Sequence, residues 1–563
     1  MRNLETQLSF LVSGQEILTE ADKRNGEQPE TYTGMYAMHK YWSKKPYNLV
    51  SQYIEKYSKP NEIVLDPFCG SGVTTTESVR LGRRAVGVDI NPTAVNSTKM
   101  GLTHIDIKAL KKNFDFLRSE VEQEINNLYQ TNCPKCGNTQ AIATHTIWNG
   151  EQIDEIWVEC KACGNSKAVK KPSESDRIAA LEPTRPATWY PTNLLLENSR
   201  INAKSGMRVC DLFTPRALSN LSLLLERIRQ INDPQIKSVM EFCFSAMLPQ
   251  ASNMVFVIRR RGKLNGTMEN GEAKAEVGSW VIGYWIPSEH FEIHVWRCFE
   301  NRFKRILKGK QEVNHAIPVS AKEFSSFNDL EKSPNGYLVR KGTATDLSFI
   351  NSDSIDYIFT DPPHGNRIPY LELSLMWNSW LNYDFDLENE IIVSESRVRQ
   401  KNVKDYEQRL KIAFSEMRRV LKQNGHASIA FNSLDDETWL SLLNTLLAAG
   451  FEIKEITPLE YSARSVVQDT RKNALKTDFV ITCQKRLSES RQQIVFGYSQ
   501  KELLLAIESY LKSRRNGAET YEIMNHLLVS SIPTGTIFKV SQIIETIKNI
   551  ATFNNGCWQL KLS

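Results

Sequence analysis

Residues 61–72, with the sequence NEIVLDPFCGSG, decide the fold of this chain. The stretch begins as a short apolar run, which predicts a buried strand, and ends in a turn that contains Gly70 and Gly72. A helix is expected over roughly residues 74–81, and residues 83–91 (RRAVGVDIN) predict a second strand. Strand, glycine turn, helix and strand form a βαβ unit, so we expect an α/β fold with a doubly wound, Rossmann-like sheet.

Two acidic residues of this unit predict a nucleoside-cofactor site. Asp66 lies at the carboxyl end of the first strand, and the helix after the glycine turn offers free N–H groups to an anion such as a carboxylate. Asp89 ends the second strand about twenty residues later, where a carboxylate can accept hydrogen bonds from ribose hydroxyls. The alternative is a βαβ turn without a ligand. The dinucleotide fingerprint GxGxxG is absent, which argues against an NAD enzyme.

The same stretch resembles the S-adenosylmethionine-binding region of the DNA amino-methyltransferases, the adenine-N6 and cytosine-N4 enzymes. The similarity lies in residues 66–75 (DPFCGSGVTT), 82–95 (GRRAVGVDINPTAV) and 44–54 (KKPYNLVSQYI). Asp346, in GTATDL, resembles the acid that reaches the cofactor adenine; the alternative for it is a helix N-cap. The resemblance implies a set of cofactor-binding residues: Lys45, Pro46, Asp66, Pro67, Phe68, Gly70, Gly72, Asp89 and Asp346.

Residues 360–366 (TDPPHGN) follow the apolar strand IDYIF and resemble the [D/N/S]-P-P-aromatic catalytic loop of the same enzymes. An exocyclic base amine is a poor nucleophile because its lone pair is delocalised into the ring. A carboxylate and a backbone carbonyl can accept its two N–H bonds and hold the lone pair toward a methyl donor. We therefore expect Asp361 and the Pro362 carbonyl to accept, and Pro363 to stiffen the loop.

His364 stands where the family usually has Tyr, Phe or Trp to stack on the flipped base. Imidazole can stack but presents less area. The alternative for this stretch is a Pro-Pro surface turn with a solvated histidine. Residues 368–381 (IPYLELSLMWNSWL) resemble the aromatic segment that follows the loop, so Tyr370, Glu372 and Trp377 are expected either to shape the base pocket or to pack as a helix core.

Four of the ten cysteines form two CxxCG motifs. Each turn can bring two thiolates to one metal, and two such turns make a zinc ribbon. Four thiolates leave no open position, so the expected Zn²⁺ is structural. The alternative is four free cysteines. The predicted ligands are Cys133, Cys136, Cys160 and Cys163.

A basic cluster in the same region predicts contact with DNA phosphates, and a solvated loop is the alternative. The cluster consists of Arg259, Arg260, Arg261 and Lys263.

The domain organisation follows from these motifs and from the resemblance, which covers about residues 35–485. A helix is also expected from about residue 406 to a C-cap at Gly425. A polar linker near 486–494 precedes three predicted short helices. The predicted units are a polar segment 1–33, the cofactor half of the core 34–104, an inserted α+β target-recognition region 105–335 with the zinc ribbon at 131–165, the catalytic half 336–486, and a small helical, winged-helix-like domain 495–563.

Composition sets limits on this interpretation. The chain has 563 residues and a net charge of +5, which permits a nucleic-acid partner without requiring one. No apolar run approaches the ~20 residues of a membrane span, and no signal peptide is recognised, so we expect a cytoplasmic protein without a membrane partner.

The resemblance implies a site-specific methyltransferase on double-stranded DNA, with N6-adenine favoured over N4-cytosine, since Asp-Pro-Pro is commoner in adenine enzymes. It also implies a setting in restriction–modification or phage defence, with a separate restriction subunit because no nuclease motif is recognised. Two alternatives stay open. One is an RNA base amino-methyltransferase, because similar loops act on RNA amines. The other is a weakly active, methyltransferase-like DNA-binding subunit, because of His364.

Overall fold

The first part of the chain forms the expected βαβ unit, preceded by a helix. The computed structural model describes residues 30, 32–185, 187–260, 263–264, 267–268, 274–281, 283–431, 436–459, 478–486, 493–514, 516–554 and 557–561. Its first elements are α1 (Tyr47–Tyr57), β1 (Ile63–Asp66), α2 (Val73–Arg80), β2 (Arg84–Asp89) and α3 (Pro92–Leu102). Every residue of β1 is buried, and α1 buries Leu49, Val50 and Ile54, as their helical spacing predicts.

A long segment separates this unit from the rest of its sheet. Its elements are α4 (Ile107–Asn127), β3 (Gln130–Thr131), β4 (Ala141–Asn149), β5 (Gln152–Cys160), β6 (Asn165–Lys170), α5 (Glu174–Leu181), α6 (Pro215–Arg229), α7 (Pro234–Ala251), β7 (Val255–Arg260), β8 (Lys263–Leu264), β9 (Thr267–Met268), β10 (Lys274–Val277), β11 (Glu289–Ile293), α8 (Val295–Ala316) and α9 (Phe327–Lys332). Six strands form an antiparallel sheet of order β10-β7-β11-β4-β5-β6, with β3 paired to β4. The insertion is therefore α+β, as predicted.

The chain then returns to the first sheet. The returning elements are β12 (Tyr337–Lys341), β13 (Ile355–Thr360), α10 (Tyr370–Trp380), α11 (Val403–Val420), β14 (Leu421–Phe431), α12 (Asp436–Ala448), β15 (Phe451–Leu459) and β16 (Asp478–Lys485). The seven-stranded sheet has the order β12-β2-β1-β13-β14-β16-β15. Strands from β12 to β14 are parallel, and β16 is antiparallel to both of its neighbours. This confirms the doubly wound sheet, whose strand order reverses between β1 and β13, the position where such sheets bind ligands.

The two faces of the sheet are covered by different parts of the chain. Successive residues of a strand point to opposite faces, so Val64 packs into one core cluster while Ile63 and Leu65 pack into another. The first cluster also contains the apolar faces of α4, α6, α7 and α8 from the insertion. The second contains those of α11 and α12. Both faces of the sheet are thus buried, as a largely parallel sheet requires.

The expected helix ending at Gly425 is wrong in its last turn. Helix α11 ends at Val420, and residues 421–431 form β14. A Cβ on Gly425 would lie 2.8 Å from the carbonyl oxygen of Asp356 and 2.7 Å from the Leu421 side chain. The glycine therefore permits a close approach to the start of β13 rather than capping a helix.

The described residues among 495–560, which follow the last strand of the sheet, form three α-helices and four short strands. Its elements are β17 (Val495–Phe496), α13 (Gln500–Lys512), α14 (Thr520–Ser531), β18 (Thr536–Ile537), α15 (Val540–Ile550), β19 (Ala551–Asn554) and β20 (Cys557–Leu560). Strands β19 and β20 form an antiparallel hairpin after the third helix. Helix α14 packs on the edge strand β15, where the Ile456 N–H donates to Asn525 Oδ1 at 2.9 Å. This unit thereby covers one edge of the sheet; its winged-helix character stays a prediction.

Among the helices that the structure describes, none is both long enough and apolar enough to cross a membrane.

Candidate active site

A cleft opens where β1 and β13 end, which is the position where the strand order reverses. We call it the switch-point cleft. Its wall includes residues from both halves of the sheet and from the segment before α1. The predicted site residues among its lining are Lys45, Asp66, Pro67, Phe68, Gly70, Asp89, Asp361 and Pro363.

The glycine loop, residues 66–72, wraps one end of this cleft. Gly70 has φ +50° and Gly72 has φ +82°, and a Cβ on Gly72 would lie 2.7 Å from Thr98 Oγ1. Both the backbone conformation and the close approach to α3 therefore favour glycine. Gly72 is the N-cap of α2 and provides no side-chain cap, so the first N–H groups of α2 remain free to bind an anion.

Asp66 connects the glycine loop to the second half of the sheet. Its Oδ1 accepts a hydrogen bond from Thr360 Oγ1 at 2.7 Å and another from the Phe68 N–H at 3.1 Å. Burial raises the pKa of Asp66 to about 7, although these hydrogen bonds act in the opposite direction. Because Thr360 directly precedes Asp361, this contact ties the predicted cofactor loop to the predicted catalytic loop.

Asp89 lies at the end of β2 and is held by two backbone groups. Its Oδ2 accepts from the Gly70 N–H and its Oδ1 from the Asn91 N–H, each at 2.8 Å. Burial raises the pKa of Asp89 to about 6, and the nearby Glu390 carboxylate contributes to that rise. Asp66 is buried and Asp89 is half-buried, and a bound cation would favour the ionised form of each carboxyl.

The catalytic loop, residues 360–366, brings Asp361 to the opposite wall. Its Oδ2 forms an ion pair with the buried Lys45 Nζ at 2.8 Å. Its Oδ1 lies 3.1 Å from His364 Nε2, but the two atoms are not aligned for a hydrogen bond. Burial alone would raise the pKa of Asp361, but the Lys45 ammonium and the His364 ring hold it below its ordinary value. The buried Oδ1 has no other hydrogen-bond partner among the described residues and is free to accept one.

Other residues of the catalytic loop are fixed by packing. The Tyr406 hydroxyl donates to the Pro363 carbonyl at 2.7 Å. Pro362 is buried. The His364 ring packs edge-on against Phe431, with centroids 4.9 Å apart. In this arrangement the imidazole is held against β14 by an aromatic contact.

Three of the predicted cofactor residues lie outside the lining of the cleft. Pro46 is the N-cap of α1, and Gly72 has the role described above. Asp346 is exposed and accepts from the Ser348 N–H at 3.0 Å. Residues 342–344, two positions earlier, line the cleft instead. The structure thus places a neighbouring stretch, and not the Asp346 carboxylate, at this wall.

In the helix after the catalytic loop, α10, one of the three residues singled out from the sequence lines the cleft and the other two are packed in the protein interior. Tyr370 lines the cleft and stacks on Tyr41, with ring centroids 5.8 Å apart. Glu372 is buried and accepts from Arg399 and Asn198 instead of facing the cleft. Trp377 is buried as well, 4.9 Å from the His39 ring. Only Tyr370 of the three faces the site, and the other two stabilise the helix.

Several cleft residues were missed by the sequence analysis. Tyr41 and Trp42 line the cleft just before Lys45, and their aromatic character within KYWSKKP was the available signal. Asn389 and Glu390 line it as well, but they lie in a loop without a recognisable motif. Such residues are positioned by tertiary packing, so a local pattern could not identify them.

The four cysteines of the ribbon meet at one point beside β4 and β5. Cys133 Sγ lies 3.8 Å from Cys163 Sγ, and Cys136 Sγ lies 3.7 Å from Cys160 Sγ. All four sulfur atoms lie within 4.8 Å of one another. A tetrahedral ion with Zn–S bonds of about 2.3 Å separates its sulfur ligands by about 3.8 Å. The four thiolates are thus close enough together to bind one zinc ion.

The predicted basic cluster is only partly described. Arg259 Nε donates to Glu289 Oε1 at 3.0 Å, and Asp154 lies 3.7 Å away. Its charge is thus already compensated in the insertion sheet. Arg261 lies outside the described residues, as do the side chains of Arg260 and Lys263. Their contact with DNA stays a prediction.

The geometry of the cleft fits a nucleoside that carries both a positive and a negative group. The free N–H groups of α2 suit a carboxylate, whereas Asp66 and Asp89 suit an ammonium and ribose hydroxyls. Asp361 lines the same space from the other half of the sheet. Two substrates can therefore meet between the two halves.

Comparison with known proteins finds similarity in the first half of this site. Residues 15–100 match a family model described as DNA methylase. A type II methyltransferase, M1.MboII of Moraxella bovis, is 40% identical over 63 residues, which are 11% of this chain and 24% of that protein. Another, M.MjaII of Methanocaldococcus jannaschii, is 31% identical over 78 residues, 14% of this chain and 15% of that protein. The DNA adenine methyltransferase YhdJ of Escherichia coli is 38% identical over 65 residues, 12% of this chain and 21% of that protein.

The chain thus spans a quarter or less of the length of these relatives. Among solved structures, a SAM-dependent methyltransferase of Methanosarcina mazei covers 77% of this chain at 10% identity, with a TM-score of 0.24 and 98% of its own chain covered. The fold assignment rests on the strand order described above. The matched segment, residues 15–100, contains the glycine loop and Asp89.

Proposed function

We propose that the whole chain transfers a methyl group from S-adenosylmethionine to an exocyclic amine of a DNA base, because residues 15–100 match a family model described as DNA methylase. The observation that carries this proposal is the meeting of the glycine loop and the catalytic loop in one cleft. Adenine N6 is favoured over cytosine N4 because of the Asp-Pro-Pro sequence. A restriction–modification or phage-defence setting, with a separate nuclease, belongs to the same proposal.

The glycine loop would hold the methyl donor. The α2 N–H groups would bind its carboxylate, Asp66 its ammonium group and Asp89 its ribose hydroxyls. When bound, S-adenosylmethionine supplies an electrophilic methyl group on its sulfonium. Tyr41 and Tyr370 would close the wall around it and exclude water.

The catalytic loop would orient the amine. Lys45 occupies Asp361 Oδ2, so Oδ1 is the oxygen left to accept one amine N–H. The Pro362 carbonyl would accept the second, which directs the nitrogen lone pair away from both acceptors. Because Lys45 keeps the pKa of Asp361 low, the carboxylate would act as a hydrogen-bond acceptor and not as a strong base. Catalysis would then depend on how Asp361 and the Pro362 carbonyl position the amine, and on the negative charge of Asp361 next to it.

The four-cysteine cluster would hold a structural zinc ion in the insertion. A duplex would need to lie across the insertion and the cleft, because a stacked base cannot present its amine to the methyl donor and must be flipped.

The test is methyl transfer from labelled S-adenosylmethionine to mixed-sequence duplex DNA and, in parallel, to RNA. Nucleoside analysis of the product identifies the base. Asp361→Ala should abolish transfer while cofactor binding persists. Label on RNA but not on DNA would replace the DNA substrate in the proposal. Weak transfer that rises sharply in His364→Tyr would instead support a DNA-binding subunit with impaired catalysis.

A further inference from the structure

A short loop beside the catalytic loop has features that the proposed chemistry does not use. Residues 389–391 line the switch-point cleft, and just beyond them the Val393 N–H donates to the Gly365 carbonyl at 3.2 Å. The following residues, 394–401, are not part of its lining. We call residues 394–401 the rim loop. It starts one residue after the contact with the catalytic loop.

The rim loop is closed by its own backbone. The Ser394 N–H donates to the Lys401 carbonyl at 3.0 Å, which joins the two ends. Within the loop, the Arg399 N–H donates to the Ser396 carbonyl at 3.1 Å and forms a tight turn. The Ser394 hydroxyl also accepts from the Ser396 N–H at 3.1 Å. These bonds give the loop one defined shape.

Buried charges anchor the loop to the protein. The Arg399 guanidinium side chain is only 3% exposed and lies 2.8 Å from Glu372 and 2.7 Å from Glu390. Glu372 belongs to α10, and Glu390 lines the cleft. Lys401 pairs with Asp405 at 3.1 Å. Since breaking a buried ion pair is costly, the base of the loop is held firmly against the active site.

The tip of the loop is open to solvent by contrast. Val398 is 74% exposed, and its neighbour Arg397 is exposed and forms no ion pair with any residue that the structure describes. A single exposed valine is ordinary on a protein surface. This one stands next to a free cation, on a tight turn of the loop that follows the cleft-lining residues 389–391. The pairing of an apolar group with a free cation matches the two chemical parts of a nucleic acid, its bases and its phosphates.

We propose that the rim loop is a duplex-contacting element of this protein, in which Val398 packs against the base stack beside the flipped nucleotide and Arg397 binds an adjacent phosphate. Removing a base from the stack leaves apolar base faces uncovered, and apolar side chains cover such faces in other DNA-bending proteins. The anchored base of the loop keeps the tip in place without an ordering cost on binding. The inference rests on the proposed function, because it takes DNA as the substrate.

The experiment compares Val398→Ser and Arg397→Gln with wild type on two forms of one mixed-sequence DNA, the duplex and the heat-denatured strands. Val319→Ser is the matched control, because Val319 is also exposed, at 82%, and does not line the cleft. Val398→Ser should lower methyl transfer to the duplex about 5- to 30-fold and leave transfer to single strands unchanged. Arg397→Gln should weaken duplex binding, followed by fluorescence anisotropy, and reduce the salt slope by about 1.

Equal rates and affinities for all four proteins would overturn the inference. Equal loss on duplex and single strands in Val398→Ser would also overturn it, since only a duplex needs its stack filled. If wild type binds the duplex but transfers no methyl group, and only the rim-loop variants lose binding, the contact surface stands and the proposed activity fails. If wild type does not bind the duplex, the inference fails.

Discussion

The raised pKa of Asp66 should make the binding of S-adenosylmethionine weaker as the pH falls below about 7. Burial raises its pKa to about 7 in the protein without ligand, so about one molecule in ten has the carboxylate ionised at pH 6. The methyl donor carries a net positive charge, and the proposal gives Asp66 the contact with its ammonium group. Binding should therefore require the ionised form and release a proton.

The expected affinity is about tenfold weaker at pH 6 than on the plateau above pH 8, since the proton must first be displaced. Binding should release close to one proton at pH 6 and about half a proton at pH 7. Isothermal titration calorimetry in two buffers of different ionisation enthalpy measures both quantities. Asp89, whose pKa is about 6, adds a further factor of about two at pH 6 if its ionised form is also required, and it steepens the fall below that pH.

The burial of Asp66 also predicts that Asp66→Asn increases the folding stability of the ligand-free protein, although it removes a cofactor contact. The folded-state pKa of Asp66 lies above that of an unfolded aspartate, near 4, so ionisation costs stability as the pH rises between these two values. Removing the charge should stabilise the ligand-free protein at pH 8 by up to about 4 kcal/mol, and it should abolish cofactor binding. Thermal unfolding at pH 8 and pH 5 measures the difference.

Asp115→Asn serves as the control, because the Asp115 carboxyl is 69% exposed on α4 and does not line the cleft. It should change neither affinity nor its pH dependence. An affinity that stays constant between pH 6 and pH 8, with no proton released, would refute the reasoning. So would a loss of stability in Asp66→Asn at pH 8, because that would mean the ionised carboxylate is favoured in the folded protein.

Three other expectations concern the supports of the site. Cys136→Ser should reduce the zinc content from one ion per chain to none and expose the ribbon to proteolysis, as metal analysis and limited digestion would reveal. Arg216→Met should cost about 3–5 kcal/mol in denaturant unfolding, because it leaves the Glu292 carboxylate buried and unpaired, and adding Glu292→Leu should recover most of the loss. Tyr406→Phe removes the hydrogen bond to the Pro363 carbonyl, so stability should fall by about 1 kcal/mol and kcat should fall while cofactor affinity is unchanged.

Much of the site was predictable because its parts are local. The glycine loop needs two residues with positive φ next to a strand end, and that requirement is visible in consecutive residues. The cysteine pairs are visible for the same reason, since each CxxC turn prepares half of the cluster. Gly425 shows the limit of this reasoning. A glycine after a helical pattern predicts a C-cap, but pairing with β13 makes it part of a strand.

The sequence by itself determined the βαβ unit, the pairs of cysteines and the acids that end the strands, because these depend on neighbouring residues and on the period of apolar positions. Only the tertiary structure decided that Lys45 occupies one oxygen of Asp361, that Tyr41 faces Tyr370, and that Arg399 anchors the rim loop. These contacts join segments that the sheet order brings together across the whole chain. Their geometry depends on packing between elements, for which a local pattern carries no signal.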